Sequence, residues 1–278
     1  MLYRIAKILN HNSFMGIQEN NNQECLIMGK GVAFGKKVGQ TVPIEGEAKV
    51  YSLKEMSERG NAGEIVKSVS PLCLELANEV LNRAEQEFGK VDRSILFTMA
   101  DHLDFAVRRI QNGEQISNPL TEDIRVMFYK EYKVAGCIRD LLKEKLQIEI
   151  DEHEIGYIAL HIHSAIVEEN VSQAMEIART VRECISLVEN ETGNSIDVMS
   201  LAYNRLMNHV RYMVARAIHG EKLKMNLNDY MSVKYPGPFA AAERICKKME
   251  KSLKLPVPDI EIGYLAMHLE RMLDADAE

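Results

Sequence analysis

The chain has 278 residues, a length that allows two or three domains, and its hydrophobic fraction of 46% is ordinary for a globular protein. No apolar run approaches the ~20 residues that span a bilayer, and residues 1–7 lack the apolar core of a secretory signal, so we expect no membrane insertion. The five cysteines are scattered without a CxxC pair, which favours buried thiols in a cytoplasmic protein over disulfides or a zinc site.

The net charge of −7 is unevenly distributed. Residues 1–54 carry seven Lys and Arg against four Glu, which gives +3, so the remainder carries −10. This asymmetry predicts a small basic module that binds a polyanion, joined to a larger acidic body.

The basic module, residues 1–54, has the pattern of a small all-β domain. Strands are predicted near 3–9, 13–19, 24–28 and 47–53, with a polar hairpin loop at 20–23, and together they form a four-stranded antiparallel sheet. So few large apolar residues make a marginal core, and a homodimer is the simplest way to complete it.

Residues 29–37 carry the chemistry of this module. Three glycines allow close approach of the backbone to a ligand, and three lysines can neutralise phosphates. Phe34 lies among them and is able to stack on an unpaired base, while Asn10 and Asn12 are able to hydrogen-bond base edges. The alternative is a glycine-rich hairpin with Phe34 in the core, and both interpretations stay open at this point.

The rest of the chain follows helical patterns. Residues 55–65 form a polar linker, and Leu72, Leu76 and Val80 begin one apolar stripe. Helices are then predicted over 91–111, 121–146 and 151–169, and over 172–191, 197–217, 239–253 and 259–274. We therefore expect two all-α bundles of about five helices each, at residues 66–170 and 171–278.

The two bundles are duplicated. The segment Ile-Gly-Tyr-Ile-Ala-Leu-His at 155–161 returns as Ile-Gly-Tyr-Leu-Ala-Met-His at 262–268. His161 and His268 are 107 residues apart, and so are the upstream His102 and His209. A single histidine in an apolar helix is more often a packed core residue than a functional one, but four in the same registers of two copies favour a function.

Spacing excludes several chemistries. His161 and His163 lie two residues apart and so point about 200° away from each other on a helix, which disfavours a metal site. No GxSxG segment provides a nucleophile elbow. We predict no catalytic residue, no metal and no cofactor. An imidazole that accepts a phosphoryl group is consistent with the pattern, because a neutral imidazole is nucleophilic near pH 7.

Residues 5–12 (Ile-Ala-Lys-Ile-Leu-Asn-His-Asn) and 28–37 (Met-Gly-Lys-Gly-Val-Ala-Phe-Gly-Lys-Lys) resemble the co-antiterminator RNA-binding domain of bacterial sugar-operon transcriptional antiterminators of the BglG/LicT/SacY type. The body resembles the duplicated phosphotransferase-system regulation domain that accompanies it. The Gly-Lys-Gly and Phe-Gly-Lys-Lys segments look like the branch that controls glucose transport. Many members have Arg where this chain has Lys30, and the second copy has Asn208 where the first has Asp101.

The resemblance implies a non-enzymatic regulator. The basic module, residues 1–54 and hereafter the head, would bind as a dimer to an antiterminator hairpin in nascent mRNA and prevent terminator formation. Histidine phosphorylation would switch the activity of the body. The donors would be the histidine-containing phosphocarrier protein and the sugar transporter enzyme II. A histidine phosphotransfer protein and a DNA-binding regulator are the alternatives. The implied RNA contacts are Lys7, Asn10, Asn12, Gly29, Lys30 and Phe34, and the implied phosphoacceptors are His102, His161, His209 and His268.

Overall fold

The computed structural model describes the chain except residues 47, 55, 58, 59, 168, 194, 199, 254, 255 and 276–278. The described residues fall into two compact units, one made of residues 1–117 and 130–169, the other of residues 118–129 and 170–278. The predicted boundaries at 54, 65 and 170 remain a prediction.

The first unit begins with the expected antiparallel sheet. In the described residues it has five strands in the order β4-β1-β2-β3-β5, not the four that were predicted. The additional strand pairs Leu2 with Pro43 on the outer side of β1, and its three residues are too few to show alternation in the sequence. The strands are β1 (Leu2–Asn10), β2 (Ser13–Gln18), β3 (Glu24–Met28), β4 (Thr41–Pro43) and β5 (Lys49–Ser52).

The register of this sheet brings two turns together. Asn10 pairs with Ser13 across the β1–β2 turn, and Ser13 also pairs with Met28 at the end of β3. Asn10, Asn12 and the segment that begins at Gly29 therefore lie at the same end of the sheet. The core behind them contains Tyr3, Ile5, Phe14, Ile27 and Val42, among others.

Within the segment predicted as a linker, the described residues form a short hairpin, β6 (Met56–Ser57) and β7 (Gly60–Asn61). The Asn61 side chain then caps the first helix by accepting a hydrogen bond from the Gly63 amide at 2.8 Å. Residues 55, 58 and 59 of this segment lie outside the described residues.

The body is helical, as predicted. The stretch 121–146, predicted as one or two helices, is divided into three, α4 to α6, by breaks at Phe128 and at Gly136–Cys137. In order, the helices are α1 (Ala62–Ser68), α2 (Pro71–Phe88), α3 (Leu96–Gln111), α4 (Thr121–Met127), α5 (Tyr129–Ala135), α6 (Ile138–Leu146), α7 (Glu152–Ile166), α8 (Val171–Thr192), α9 (Leu201–His219), α10 (Asn228–Lys234), α11 (Pro236–Leu253) and α12 (Ile260–Ala275).

Two helix pairs position the duplicated histidines. In the first unit α3 packs on α7, and in the second α9 packs on α12. The second unit also incorporates α4, where Asp123 accepts a hydrogen bond of 2.5 Å from the hydroxyl of the buried Tyr203. Among the described residues, no helix is long and apolar enough to cross a membrane.

Candidate functional site

The glycine-rich segment after β3 folds as successive tight turns. Amide groups of Val32, Phe34 and Lys36 each donate to the carbonyl oxygen three residues earlier. Gly31 and Gly35 adopt positive φ values of 66° and 68°, a conformation that other residues rarely tolerate. The turns leave Lys30 and the ring of Phe34 on the outside.

Phe34 is 67% exposed, so the interpretation that placed it in the core is wrong. Its ring meets His11 edge-on, with the centroids 5.4 Å apart. A large apolar ring held in solvent beside exposed lysines is a platform on which a flat ligand can stack. Lys7 and Lys30 are also exposed, on β1 and in the turn respectively.

Asn10 and Asn12 hold the two turns together through their side-chain oxygens. The side-chain oxygen of Asn10 accepts hydrogen bonds from the backbone amide of Asn12 at 2.9 Å and from the Ser13 hydroxyl at 2.8 Å. The Asn12 oxygen accepts from the Gly31 amide at 2.8 Å. These bonds fix both side chains, so that their amide nitrogens are presented as donors in defined directions.

Gly29 has a packing reason for its identity. A Cβ atom built there would lie 3.0 Å from the Cβ of Ala48, closer than ordinary contacts allow. The sheet therefore needs glycine at this position whether or not the residue also approaches RNA.

In the first bundle, His102 on α3 and His161 on α7 face each other. Their ring centroids are 5.4 Å apart, and the side chains are buried, with 8% and 4% of their surfaces exposed. Tyr157 lies against His102 at 5.5 Å. The sequence repeat singled out these two histidines as candidate functional residues. They are 59 positions apart, and the fold brings their rings together.

A buried ion pair between Arg109 on α3 and Glu154 on α7 lies two helical turns away from the two histidines. Arg109 follows His102 by seven residues, and Glu154 precedes His161 by seven, so each lies on the same helix face as its histidine. One Glu154 oxygen is bonded to Arg109, and the other lies 3.2 Å from Nε2 of His102. Burial alone would raise the pKa of Glu154, but His102 and Arg109 together hold it below the ordinary value.

The second bundle repeats this arrangement at an offset of 107 residues. His209 and His268 stack more closely, with centroids 4.7 Å apart, and both are half-buried. Arg216 and Glu261 form the equivalent ion pair, here bidentate at 2.7 and 2.9 Å. Both Glu261 oxygens are therefore engaged by the guanidinium group.

Because both Glu261 oxygens bind Arg216, neither forms an ion pair with His209 within the described residues. Its Nε2 is buried and has no hydrogen-bond partner among the described residues. Burial, with the nearby His268 and Arg216, lowers the pKa of His209 to about 3. Burial, followed by Arg271 and Arg205, also lowers the pKa of His268. Both rings of the second pair are consequently neutral near pH 7, with a lone pair on one nitrogen.

The glutamates of these ion pairs were not identified from the sequence, although the 107-residue offset, applied to charged residues, relates 109 to 216 and 154 to 261. The structure provides no cluster of three or more His, Cys, Asp or Glu suited to a metal ion within its described residues.

Comparison with known proteins agrees with both regions. The CAT RNA binding domain matches residues 3–60, and the PRD domain matches residues 64–165 and 182–272. Similar proteins include Protein GlcT of Staphylococcus haemolyticus, 29% identical over 96% of this chain and 95% of that protein. Transcription antiterminator LicT of Bacillus subtilis is 28% identical over 97% of this chain and 99% of its own length.

A solved structure, "Crystal structure of GlcT CAT-PRDI", is 26% identical and superposes with a TM-score of 0.50, covering 60% of this chain and 99% of that one. Two of the proteins similar in sequence are named as antiterminators, LicT and the GlcA/glcB genes antiterminator of Staphylococcus carnosus. With a CAT RNA-binding domain followed by two PRD domains over most of its length, the chain belongs to the BglG/LicT family of transcription antiterminators.

Proposed function

We propose that this protein binds, as a homodimer, an antiterminator hairpin in the nascent mRNA of a sugar-transport or sugar-utilisation operon, in the cytoplasm, and that histidine phosphorylation switches this activity. The observation that carries the proposal is the exposed Phe34 ring among the lysines of a turn in the CAT domain. The name of one similar protein, the GlcA/glcB genes antiterminator of Staphylococcus carnosus, supports a glucose-transport operon as the target.

The head has the parts that an RNA loop requires. Lys7 and Lys30 provide positive charge for phosphates, and Asn10 and Asn12 provide fixed donors. Phe34 provides the surface for an unpaired base, the feature that distinguishes a loop from a regular duplex. Gly29 packs closely against Ala48 next to these side chains.

A binding assay tests this half of the proposal. The full chain should bind an RNA hairpin that contains unpaired bases more tightly than duplex DNA of the same length and at the same salt concentration. Equal or stronger binding to duplex DNA would refute it and would favour a DNA-binding regulator.

The paired histidines are the proposed phosphoacceptors. A lone pair on an acceptor ring attacks phosphorus, the P–N bond of the donor phosphohistidine breaks, and its electron pair returns to the donor ring. The N–H proton of the acceptor ring passes to the donor ring that receives this electron pair, so that both rings end neutral and no co-reactant is consumed. The product adds roughly two negative charges beside a second ring and near an arginine, which is sufficient to change helix packing or assembly.

Accessibility predicts an order of phosphorylation. His209 and His268 are half-buried, whereas His102 and His161 are buried, so a donor protein reaches the second pair with less local opening. With phosphorylated histidine-containing carrier as donor, we expect label at residues 209 and 268 before 102 and 161. The sugar transporter enzyme II is the second donor to be tested.

Mass-spectrometric mapping of phosphohistidines over a time course measures this order. Label on His11 or His153, or no label with either donor, would contradict the assignment of the four acceptors. Sedimentation of the labelled and unlabelled protein then shows whether phosphorylation changes the dimer fraction.

A further inference from the structure

The head is attached to one face of α2 within the first unit. Glu75, Asn78, Asn82 and Glu85 are spaced by three, four and three residues, so all four lie on the same side of the helix. Asn78 accepts a 2.6 Å hydrogen bond from the Tyr51 hydroxyl, and Glu85 forms an ion pair of 3.1 Å with Lys49. Both head residues are on β5.

At the other end of this face, Glu75 engages the proposed RNA-contacting residues. Its Oε1 atom accepts hydrogen bonds from Nδ2 of Asn10 at 2.8 Å and from Nδ2 of Asn12 at 3.1 Å. Because the oxygens of both asparagines are used within the head, these amide nitrogens are the donors that remain to face a ligand.

The two amides converge on a single oxygen. Such an arrangement selects an acceptor on the ligand, either a phosphate oxygen or a base carbonyl, and the carboxylate oxygen has the same chemistry. Each amide nitrogen has a second proton, but an RNA oxygen placed between the two asparagines requires the position that Glu75 occupies.

Other charged residues around Glu75 also place carboxylates opposite lysines of the head. A cleft of about 760 Å³ separates the head from α2. Lys30 and Lys49 line its head side, and Glu75, Glu79 and Glu85 line the α2 side. Lys145 on α6 also lines the cleft, with its Nζ atom 3.9 Å from the second oxygen of Glu75. The basic surface proposed for RNA therefore faces a row of carboxylates on the chain's own regulation domain.

We propose that Glu75 is an intramolecular substitute for an RNA acceptor oxygen, so that the first PRD domain and the RNA compete for Asn10 and Asn12. This inference rests on the proposed RNA-binding function and adds its regulation. The head is inhibited while α2 lies against it, and RNA binding, or a change in the bundle that moves α2, releases the asparagines. The apparent dissociation constant is the intrinsic one divided by the released fraction.

The test compares hairpin affinities of full-length variants. Glu75→Ala should bind the RNA hairpin about ten-fold more tightly than the wild type. Glu75→Gln keeps the shape and loses the charge, so it should also bind more tightly, but by less, because hydrogen bonds to charged acceptors are stronger than neutral ones. The glutamine variant also serves if the alanine variant proves unstable.

Glu79→Ala is the matched control. Glu79 lies on the same helix and lines the same cleft, but its carboxylate is bonded to Arg83 at 3.4 Å and not to the head. Removal of its charge should leave the affinity within about two-fold of the wild type. Equal tightening by Glu75→Ala and Glu79→Ala would show a general charge effect and refute the competition.

The outcomes separate the two proposals. If the wild type and the Glu75 variants bind the hairpin equally well, the competition is wrong and RNA binding stands. If none of them binds the hairpin better than duplex DNA, the proposed function itself fails.

Discussion

Phe34→Ala tests whether the exposed ring binds RNA. With 67% of the residue in solvent, only about a third of the ring is covered, chiefly by the edge contact with His11. Full burial of a phenylalanine side chain contributes ~1.5–3 kcal/mol, so the covered third contributes about 1 kcal/mol or less. The substitution should therefore leave the fold and its unfolding midpoint almost unchanged.

The effect on RNA binding should be larger. A base stacked on an aromatic ring contributes ~1–3 kcal/mol, which corresponds to a rise in the dissociation constant of about 5- to 150-fold. Loss of affinity without loss of stability is the expected combination. A core phenylalanine would give the opposite result, since its truncation costs ~3–5 kcal/mol of stability.

Fluorescence anisotropy with a labelled hairpin, at one fixed salt concentration, measures the change. Phe34→Tyr keeps the ring and should bind like the wild type. Val38→Ala removes another exposed apolar side chain from the same connection, 63% in solvent, and should have no effect. Wild-type affinity of Phe34→Ala, or an equal loss in Val38→Ala, would refute the stacking argument.

Two further predictions concern the second bundle. Because the folded state lowers the pKa of His209 from 6.5 to about 3, the unfolded state binds its proton more readily, and wild-type stability should fall as the pH drops from about 6.5 towards 3. His209→Gln should reduce this loss in urea unfolding at pH 7 and pH 5, and identical pH dependence of the wild type and His209→Gln would contradict the low pKa of His209. Glu261→Gln leaves the Arg216 guanidinium without its carboxylate and should cost about 3–5 kcal/mol of unfolding free energy, whereas Glu191→Gln, at a surface ion pair, should change it little. Equal effects of these two glutamate variants in urea unfolding would show that the buried pair is not a main support of the bundle.

The strongly patterned parts of the fold were predictable from the sequence. The repeat of Ile-Gly-Tyr-x-Ala-x-His predicted two duplicated bundles, and the matching registers of the four histidines favoured a function for them. Each of these patterns extends over many residues or occurs twice, so an ambiguous residue at one position does not change the prediction. The contact between the two histidines of each bundle was not predicted. The family match then agreed with the resemblance already visible in the head.

Other features depend on interactions that local pattern does not contain. Strand β4 has only three residues and exists because β1 offers it an unpaired edge. No proline lies inside 121–146, and the second break falls at Gly136, a residue type that weakens helices, whereas the break at Phe128 has no such local signal. The bonds from Asn10 and Asn12 to Glu75 join residues 65 and 63 positions apart, and nothing in either segment alone indicates the other.

The two copies differ in more than the replacement of Asp101 by Asn208 that the sequence shows. Asn208 is exposed and donates to the Asn204 carbonyl at 2.8 Å, away from the ion pair. The copies also differ in the geometry of the buried arginine–glutamate ion pair. In the second copy the guanidinium group occupies both oxygens of Glu261.

In the first copy Arg109 is bonded to one oxygen of Glu154, and the other oxygen lies beside His102. The free carboxylate oxygen gives His102 a negatively charged neighbour, whereas Glu261 directs both of its oxygens to Arg216. In both bundles the Nε2 atom of the upstream histidine is buried and makes no hydrogen bond within the described residues. The same four residue types at the same spacing thus place one carboxylate oxygen beside the histidine in the first bundle and both oxygens on the arginine in the second.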